Sequence, residues 1–290
     1  MQFKNKILLS IILAGSLSVT KARDIEKVVY GEDNRVDVYE SSNPLFKAFA
    51  SSTAAMISNS SLKSSGDMVT INGGTLKGDG ICSDERFANQ MTAASCSGFL
   101  VAPDLLVTAG HCVQSMADCE SYSWVFDYSN IAKETTAWSI DKKNVFSCVE
   151  IISRTLNDGT DNDFALVRLD RAADRTPLKF RKEGRIDNKS GLVVIGHPSG
   201  LPTKIADGAF IRRNKNKYYF QTNLDTFGGN SGSAVINTKS GEVEGILVRG
   251  ERDYVLDTIQ NCYRSKICKM DECRGEDVTR ITNIGALKKL

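Results

Sequence analysis

Histidine is scarce in this sequence, with two residues in 290. So few imidazoles leave little with which to build a histidine-ligated metal centre, and neither stands near Cys268 or Cys273, so disulfide formation is the expected use of those two thiols. Net charge is also small, +2. One short basic run occurs, Arg212-Arg213-Asn214-Lys215-Asn216-Lys217, and it reads as a solvated turn. There is therefore no electrostatic argument for a nucleic acid or an anionic membrane as partner. Long hydrophobic runs are missing as well. The apolar run at residues 7–19 is short of the roughly 20 residues that span a bilayer.

What is present reads as a folded, exported chain. Hydrophobic residues make up 41% and charged residues 25%, near the averages of soluble globular proteins. Such a length buries a large core, as one broad domain or two closely packed halves. Lys4 and Lys6 precede the apolar run, and Thr20-Lys21-Ala22 supplies the small residues a signal peptidase reads, so residues 1–22 are expected to be a signal peptide cleaved after Ala22. Its removal takes three lysines and no acid, leaving a net charge of about −1. No cysteine follows the run to carry a lipid. All the cysteines lie beyond residue 22, as suits the oxidising conditions of a secreted or periplasmic protein.

Residues 23–49 read as an N-terminal arm or propeptide, with a turn at 31–35, a short alternating strand from Val36 to Tyr39 and a helix at 43–50. A strand at 51–57 and a serine-rich loop at 58–67 follow. From Met68 onward, short β-branched or apolar runs alternate with Gly, Asn, Asp and Pro: 97–101, 105–108, 123–126, 145–151, 164–169, 192–195, 217–221, 233–236 and 243–248. That spacing predicts an all-β sandwich or barrel. The charged segment 170–191 is the expected connection between two halves, and the basic run is the tip of a hairpin.

Three stretches carry chemistry. Thr226-Phe227-Gly228-Gly229-Asn230-Ser231-Gly232-Ser233 places a serine among glycines, which permit backbone angles and close approaches that a nucleophile and its oxyanion-binding amides require. His111 ends an apolar strand in Val107-Thr108-Ala109-Gly110-His111-Cys112, where small neighbours leave room for an imidazole acting as a general base. Asp163 leads into the strand Phe164-Ala165-Leu166-Val167 and can supply the carboxylate that orients such a base. His197, in Gly196-His197-Pro198-Ser199-Gly200, reads as a loop residue.

The order His111, Asp163, Ser231 is that of the chymotrypsin type of serine peptidase. With Cys96-Ser97-Gly98-Phe99-Leu100-Val101, Leu106 to Cys112, Asp163 to Val167 and Gly229 to Ser233, the chain resembles the trypsin/chymotrypsin superfamily across residues 30–285. Within it, the chain is most similar to the bacterial V8-like branch, the relatives of glutamyl endopeptidases. That resemblance implies an all-β fold of two antiparallel six-stranded β-barrels, residues 50–170 and 177–290 including a C-terminal tail, with the active site at their interface. Ser231 is then the nucleophile, His111 the base and later acid, Asp163 its support, and the amides of Gly229 and Ser231 the oxyanion hole. It further implies a Cys96–Cys112 disulfide, worth roughly 3 kcal/mol by chain entropy. Partners are polypeptide substrates, with no metal or organic cofactor. The pairing of Cys82, Cys119, Cys148, Cys262, Cys268 and Cys273 stays open.

Specificity is less plain. Asp225 stands six residues before Ser231, where trypsin-like enzymes place a pocket-base carboxylate, which implies cleavage after Arg or Lys. The V8-like resemblance implies cleavage after Glu, yet Leu247 occupies the position of the histidine on which that preference rests. Thr226, Val248, Arg249 and Gly250 complete the expected substrate-binding residues, with Arg249 either paired to Asp225 or facing an acidic substrate residue. Asn230 cannot make the ion pair with a new N-terminus that trypsin-like zymogens use. A catalytically silent binding protein is the alternative from another class; its mark would be a missing triad residue, and none is missing.

Overall fold

The computed structural model describes residues 28–130, 132 and 138–290; the expected signal peptide lies outside them, as do residues 23–27 of the arm. Six strands close into a first antiparallel barrel: β1 (Thr53–Ser58), β2 (Ala94–Ala102), β3 (Leu105–Thr108), β4 (Tyr122–Phe126), β5 (Val145–Asn157) and β6 (Asn162–Leu169). Around it they run β4-β5-β6-β3-β2-β1, and β1 returns to pair with β4. Six more make the second: β7 (Gly191–Gly196), β8 (Lys204–Arg213), β9 (Tyr219–Thr222), β10 (Ala234–Asn237), β11 (Val243–Arg249) and β12 (Glu276–Arg280). Their order is β7-β10-β11-β12-β9-β8, closed by pairing of β8 with β7.

The apolar runs form these strands because both of their faces are covered. On β7, Leu192 and Val194 join Phe220, Val235, Leu247 and Val278 in the second barrel's interior, whereas Val193 and Ile195 join a cluster shared with the first barrel. Side chains alternate across a strand, so a strand with two buried faces reads as an unbroken apolar run. The helix Pro44–Ser51 begins where Asn43 accepts hydrogen bonds from the amides of Leu45 and Phe46, with proline in the first turn, and it buries Phe46 and Ala50. Residues 170–190 run between the barrels. Leu178 donates to the Leu100 carbonyl of the first and Arg181 to the Val243 carbonyl of the second.

Three strands depart from the expectation. The serine-rich segment 58–67 contains a strand, Leu62–Ser65, which pairs with Met68–Ile71. β8 and β12 carry lysine, arginine, aspartate and glutamate, and Lys204 of β8 and the charged residues of β12 are buried because partners neutralise or hydrogen-bond them. Lys204 pairs with Asp37 at 2.6 Å, Asp277 takes Arg249 and Arg274, and Arg280 donates to backbone and side-chain oxygens of Asn214 and Asn216. A buried charge without such partners would cost several kcal/mol.

Four disulfides join Cys82 to Cys262, Cys96 to Cys112, Cys119 to Cys148 and Cys268 to Cys273. The first ties the 76–90 loop of the first barrel to a segment between β11 and β12 that folds as a hairpin, Tyr254–Asp257 against Cys262–Ser265. Arg264 fastens the same junction through Asp84, Glu85 and Asp257. The arm enters on the second barrel, where Val29–Tyr30 pairs with Ile267–Cys268 and Arg35–Asp37 with β8.

Candidate active site

His111 and Asp163 meet because β6 and β3 are antiparallel neighbours. Ala165 pairs with Thr108, so continuing the register brings Asp163 level with Gly110. Its Oδ1 accepts from the amides of Gly110, at 2.6 Å, and His111, at 3.1 Å. Oδ2 lies 2.7 Å from His111 Nδ1. An ionised carboxylate only accepts, so Nδ1 donates here. In the neutral imidazole this leaves a lone pair on Nε2, which has no hydrogen-bond partner among the described residues.

Ser231 comes from the second barrel, in the loop between β9 and β10, and is stitched onto the first. Its carbonyl accepts from the Ser97 amide at 2.8 Å and lies 3.7 Å from Cys112 Sγ. That sulfur is within 4.8 Å of a ring nitrogen of His111. Cys96, His111 and Cys112 gather three potential metal ligands there, but the two sulfurs belong to one disulfide, leaving a single imidazole as a conventional ligand. Two glycines let the loop come this close. Gly229 has φ +87°, and a Cβ on it would meet the His197 carbonyl oxygen at 2.4 Å; Gly232 has φ +90°, and a Cβ there would meet the Ser97 carbonyl oxygen at 2.0 Å.

The two peptides that flank Gly229 are each held at their carbonyl. The Ser199 amide donates to the Gly228 carbonyl, and Ser97 Oγ donates to the Gly229 carbonyl at 2.8 Å. All described peptide bonds are trans, so the Gly229 N–H points opposite to the Gly228 carbonyl and away from the 197–200 turn. Ser97 Oγ also accepts from the His197 amide. His197 itself is fully buried, with Nδ1 3.0 Å from the Leu201 carbonyl oxygen, and burial depresses its pKa to about 3. A neutral, inward-facing imidazole is part of the floor beneath the serine loop.

Asp225 is buried near the serine loop, but it faces the arm. Oδ1 accepts from the Tyr30 amide at 2.7 Å and Oδ2 from the Asn34 amide at 2.8 Å. Burial pushes its pKa up to about 6 against the pull of those two amides. With both oxygens engaged this way, Asp225, expected to receive a basic substrate residue, tethers the arm in this structure. Arg249 does not reach Asp225. Its guanidinium pairs with Asp277 at 2.9 Å and donates to the Asp161 carbonyl at 2.6 Å, bridging the second barrel to the loop before Asp163. Asn230, also buried, accepts from the Ser233 hydroxyl.

Thr226 and Gly250 meet at Glu276, a residue not among those expected from the sequence. Thr226 Oγ1 donates to Glu276 Oε2 at 2.5 Å, and a Cβ on Gly250 would fall 2.0 Å from the same oxygen. A carboxylate thus sits between the segment entering the serine loop and the end of β11. Its signal in sequence was weak: Glu276 lies in a polar stretch, Glu-Asp-Val-Thr-Arg, that reads as exposed rather than as a barrel strand.

Among solved structures the chain is similar to a Glu endopeptidase, at 17% identity over 90% of this chain and 96% of that one with a TM-score of 0.47. It is also similar to the active form of a protease from M. tuberculosis, at 14% identity over 97% and 92% with 0.47, and to a serine endoprotease from Yersinia pestis, at 13% over 86% and 67% with 0.49. No curated protein matches. The family model of the trypsin-like peptidase domain matches residues 96–246, over half of the sequence and inclusive of His111, Asp163 and Ser231, and the chain belongs to that family.

Proposed function

We propose that this serine endopeptidase hydrolyses peptide bonds through an acyl-enzyme on Ser231 and cleaves after Arg or Lys. His111 Nε2 takes the proton of the Ser231 hydroxyl as the oxygen attacks the scissile carbonyl, then passes it to the leaving amine. Asp163 keeps Nδ1 protonated and stabilises the imidazolium. The observation that carries this reading is the 2.7 Å contact between His111 Nδ1 and Asp163 Oδ2, reinforced by two backbone amides on the same carboxylate. It fixes which imidazole nitrogen is basic. Nucleophile-to-base hydrogen bonds commonly tighten when substrate binds, so the unpartnered Nε2 fits a resting site. The amides of Gly229 and Ser231 receive the oxyanion; the fixed 228–229 peptide supports that role, because preorganised donors need no reorganisation during reaction.

A basic side chain is selected by Glu276. Its carboxylate lies between Thr226 and Gly250, where a substrate chain running along Val248 to Gly250 would direct a side chain. A buried negative charge there attracts Arg or Lys and repels Glu, which disfavours the glutamate-specific alternative. Export as a secreted or periplasmic enzyme is part of the proposal and is supported by the four disulfides.

A fluorophosphonate probe should label the oxidised enzyme and leave Ser231→Ala untouched. Matched peptides with Arg, Glu or Phe before the scissile bond should be turned over fastest with Arg. An unlabelled wild type would leave the chain a binding protein, and faster cleavage after Glu would overturn the assignment of Glu276.

A further inference from the structure

The basic hairpin tip has no part in the chemistry assigned so far. Residues 185–188, the end of β8, the tip and the start of β9 wall a cleft of about 730 Å³. Arg185, Arg212, Arg213 and Lys215 line it, and no acid does. Behind it Arg280 is buried, its guanidinium satisfied by oxygens of Asn214 and Asn216. Among the described residues none of these five cations has a carboxylate within ion-pair distance. The acids nearby are otherwise engaged: Asp187 accepts from the Lys189 amide, Glu272 holds Lys269, and Glu244 holds Arg181. Burial, and after it the neighbouring Arg185, lower the pKa of Arg280 to about 10, with Glu244 acting the other way.

The cleft lies near the substrate strand. Tyr219 lines it, and the Tyr219 ring is 5.6 Å from the Arg249 guanidinium, at the end of β11. β12 runs between β11 and the cleft, and its Asp277 joins the two, accepting from the cleft-lining Gln221 and pairing with Arg249.

We propose that this cleft binds an acidic segment of the polypeptide substrate, upstream of the residue held by Glu276. This inference rests on the endopeptidase reading and adds a second determinant to it: the enzyme selects a basic residue preceded, some residues earlier, by a run of Asp or Glu. A free polyanion is the competing occupant. Continuity with the substrate strand favours the peptide, because a ligand tethered at the active site meets the cleft at high effective concentration.

The test uses two fluorescein-labelled peptides with the same Arg and the same downstream sequence, one with an Asp/Glu run upstream and one with Asn/Gln in its place. Anisotropy with full-length, oxidised Ser231→Ala protein should show the acidic peptide binding about tenfold more tightly at low salt, as a few exposed ion pairs would give. High salt should erase the difference. Arg213→Glu with Lys215→Glu, both exposed, should abolish the preference while leaving the neutral peptide within about twofold. With active enzyme the same preference should enter through KM. Equal binding of the two peptides would overturn the proposal, as would a double variant that weakens both alike. So would heparin bound in an Arg213- and Lys215-dependent way by a protein that does not discriminate between the peptides. Since Ser231→Ala binding needs no turnover, an acidic preference in a protein whose wild type cleaves neither peptide would leave the site standing and sink the endopeptidase reading instead.

Discussion

Asp163 in the first barrel and Asp225 in the second are aspartates in like surroundings. Each is nearly inaccessible, at 3% and 4% exposure, and each accepts two backbone amides. They differ in what their donors belong to. Two of Asp163's three donors, an amide and the ring nitrogen, are on His111, so the carboxylate fixes a side chain that chemistry can use. Asp225 receives amides from Tyr30 and Asn34, nearly 200 positions away in sequence, so it fixes a piece of backbone. A buried carboxylate is the same device in both places: it converts desolvation cost into a demand for donors. The surrounding topology decides whether an imidazole or a stretch of backbone meets that demand.

The largest effect should separate the two aspartates. Asp163→Asn is expected to lower kcat by on the order of 10⁴, because the amide reverses the hydrogen-bond polarity at Nδ1 and favours the wrong tautomer. Asp225→Asn should change kcat less than about tenfold, since its ligands are backbone amides remote from proton transfer. Measuring both with one Arg peptide checks the contrast. Comparable losses would mean that Asp225 faces substrate after all.

How far the sequence could be read follows from the same contrast. The candidate residues His111, Asp163 and Ser231 were legible as such because each sits in a local run whose small or apolar neighbours announce its setting, and their order limits the topology. Most barrel strands were legible for a similar reason: two buried faces make continuous apolar runs. The function of Asp225 was not legible, because a position six residues before Ser231 says nothing about which distant amides reach it. Glu276, Asp277 and Arg280 were hidden by their own polarity. A strand that buries charge against partners from other segments looks exposed until those partners are placed, and the pairing of Arg249 with Asp277 was hidden for the same reason.

A second way to sharpen the comparison is pH. The pKa of Asp225 is raised in the folded state, from an ordinary 3.8 to about 6. Folded protein therefore holds a proton that the unfolded chain has released between about pH 4 and pH 6. The stability this confers is fully present below the unfolded value and is lost as pH rises through about 6. A shift of that size corresponds to on the order of 2–3 kcal/mol. Relative to Asp225→Asn, which does not titrate, the wild type should lose stability between pH 4 and pH 7 in denaturant titrations. A difference that stays flat across that range would place the carboxylate in a more polar setting than the arm provides.

The smallest effect concerns Glu276, the third buried carboxylate, which answers neither a catalytic base nor the arm alone. Its Oε2 accepts from Thr226 Oγ1, and its Oε1 lies 3.3 Å from the Glu251 amide nitrogen. Glu276→Gln keeps the size and one accepting oxygen but removes the charge. If that charge selects substrate, kcat/KM for an Arg peptide should fall about tenfold or somewhat more, the scale of losing a charge from a hydrogen-bonded pair. The Phe peptide should be unaffected or improve, because a neutral pocket is easier to fill with an apolar ring. Comparing the two substrates on one variant separates selection from folding. A partly misfolded protein loses both activities together, whereas a lost selector loses only the first. An equal fall for Arg and Phe would make Glu276 a structural group like Asp225, and of these three buried carboxylates only Asp163 would be left to serve the reaction.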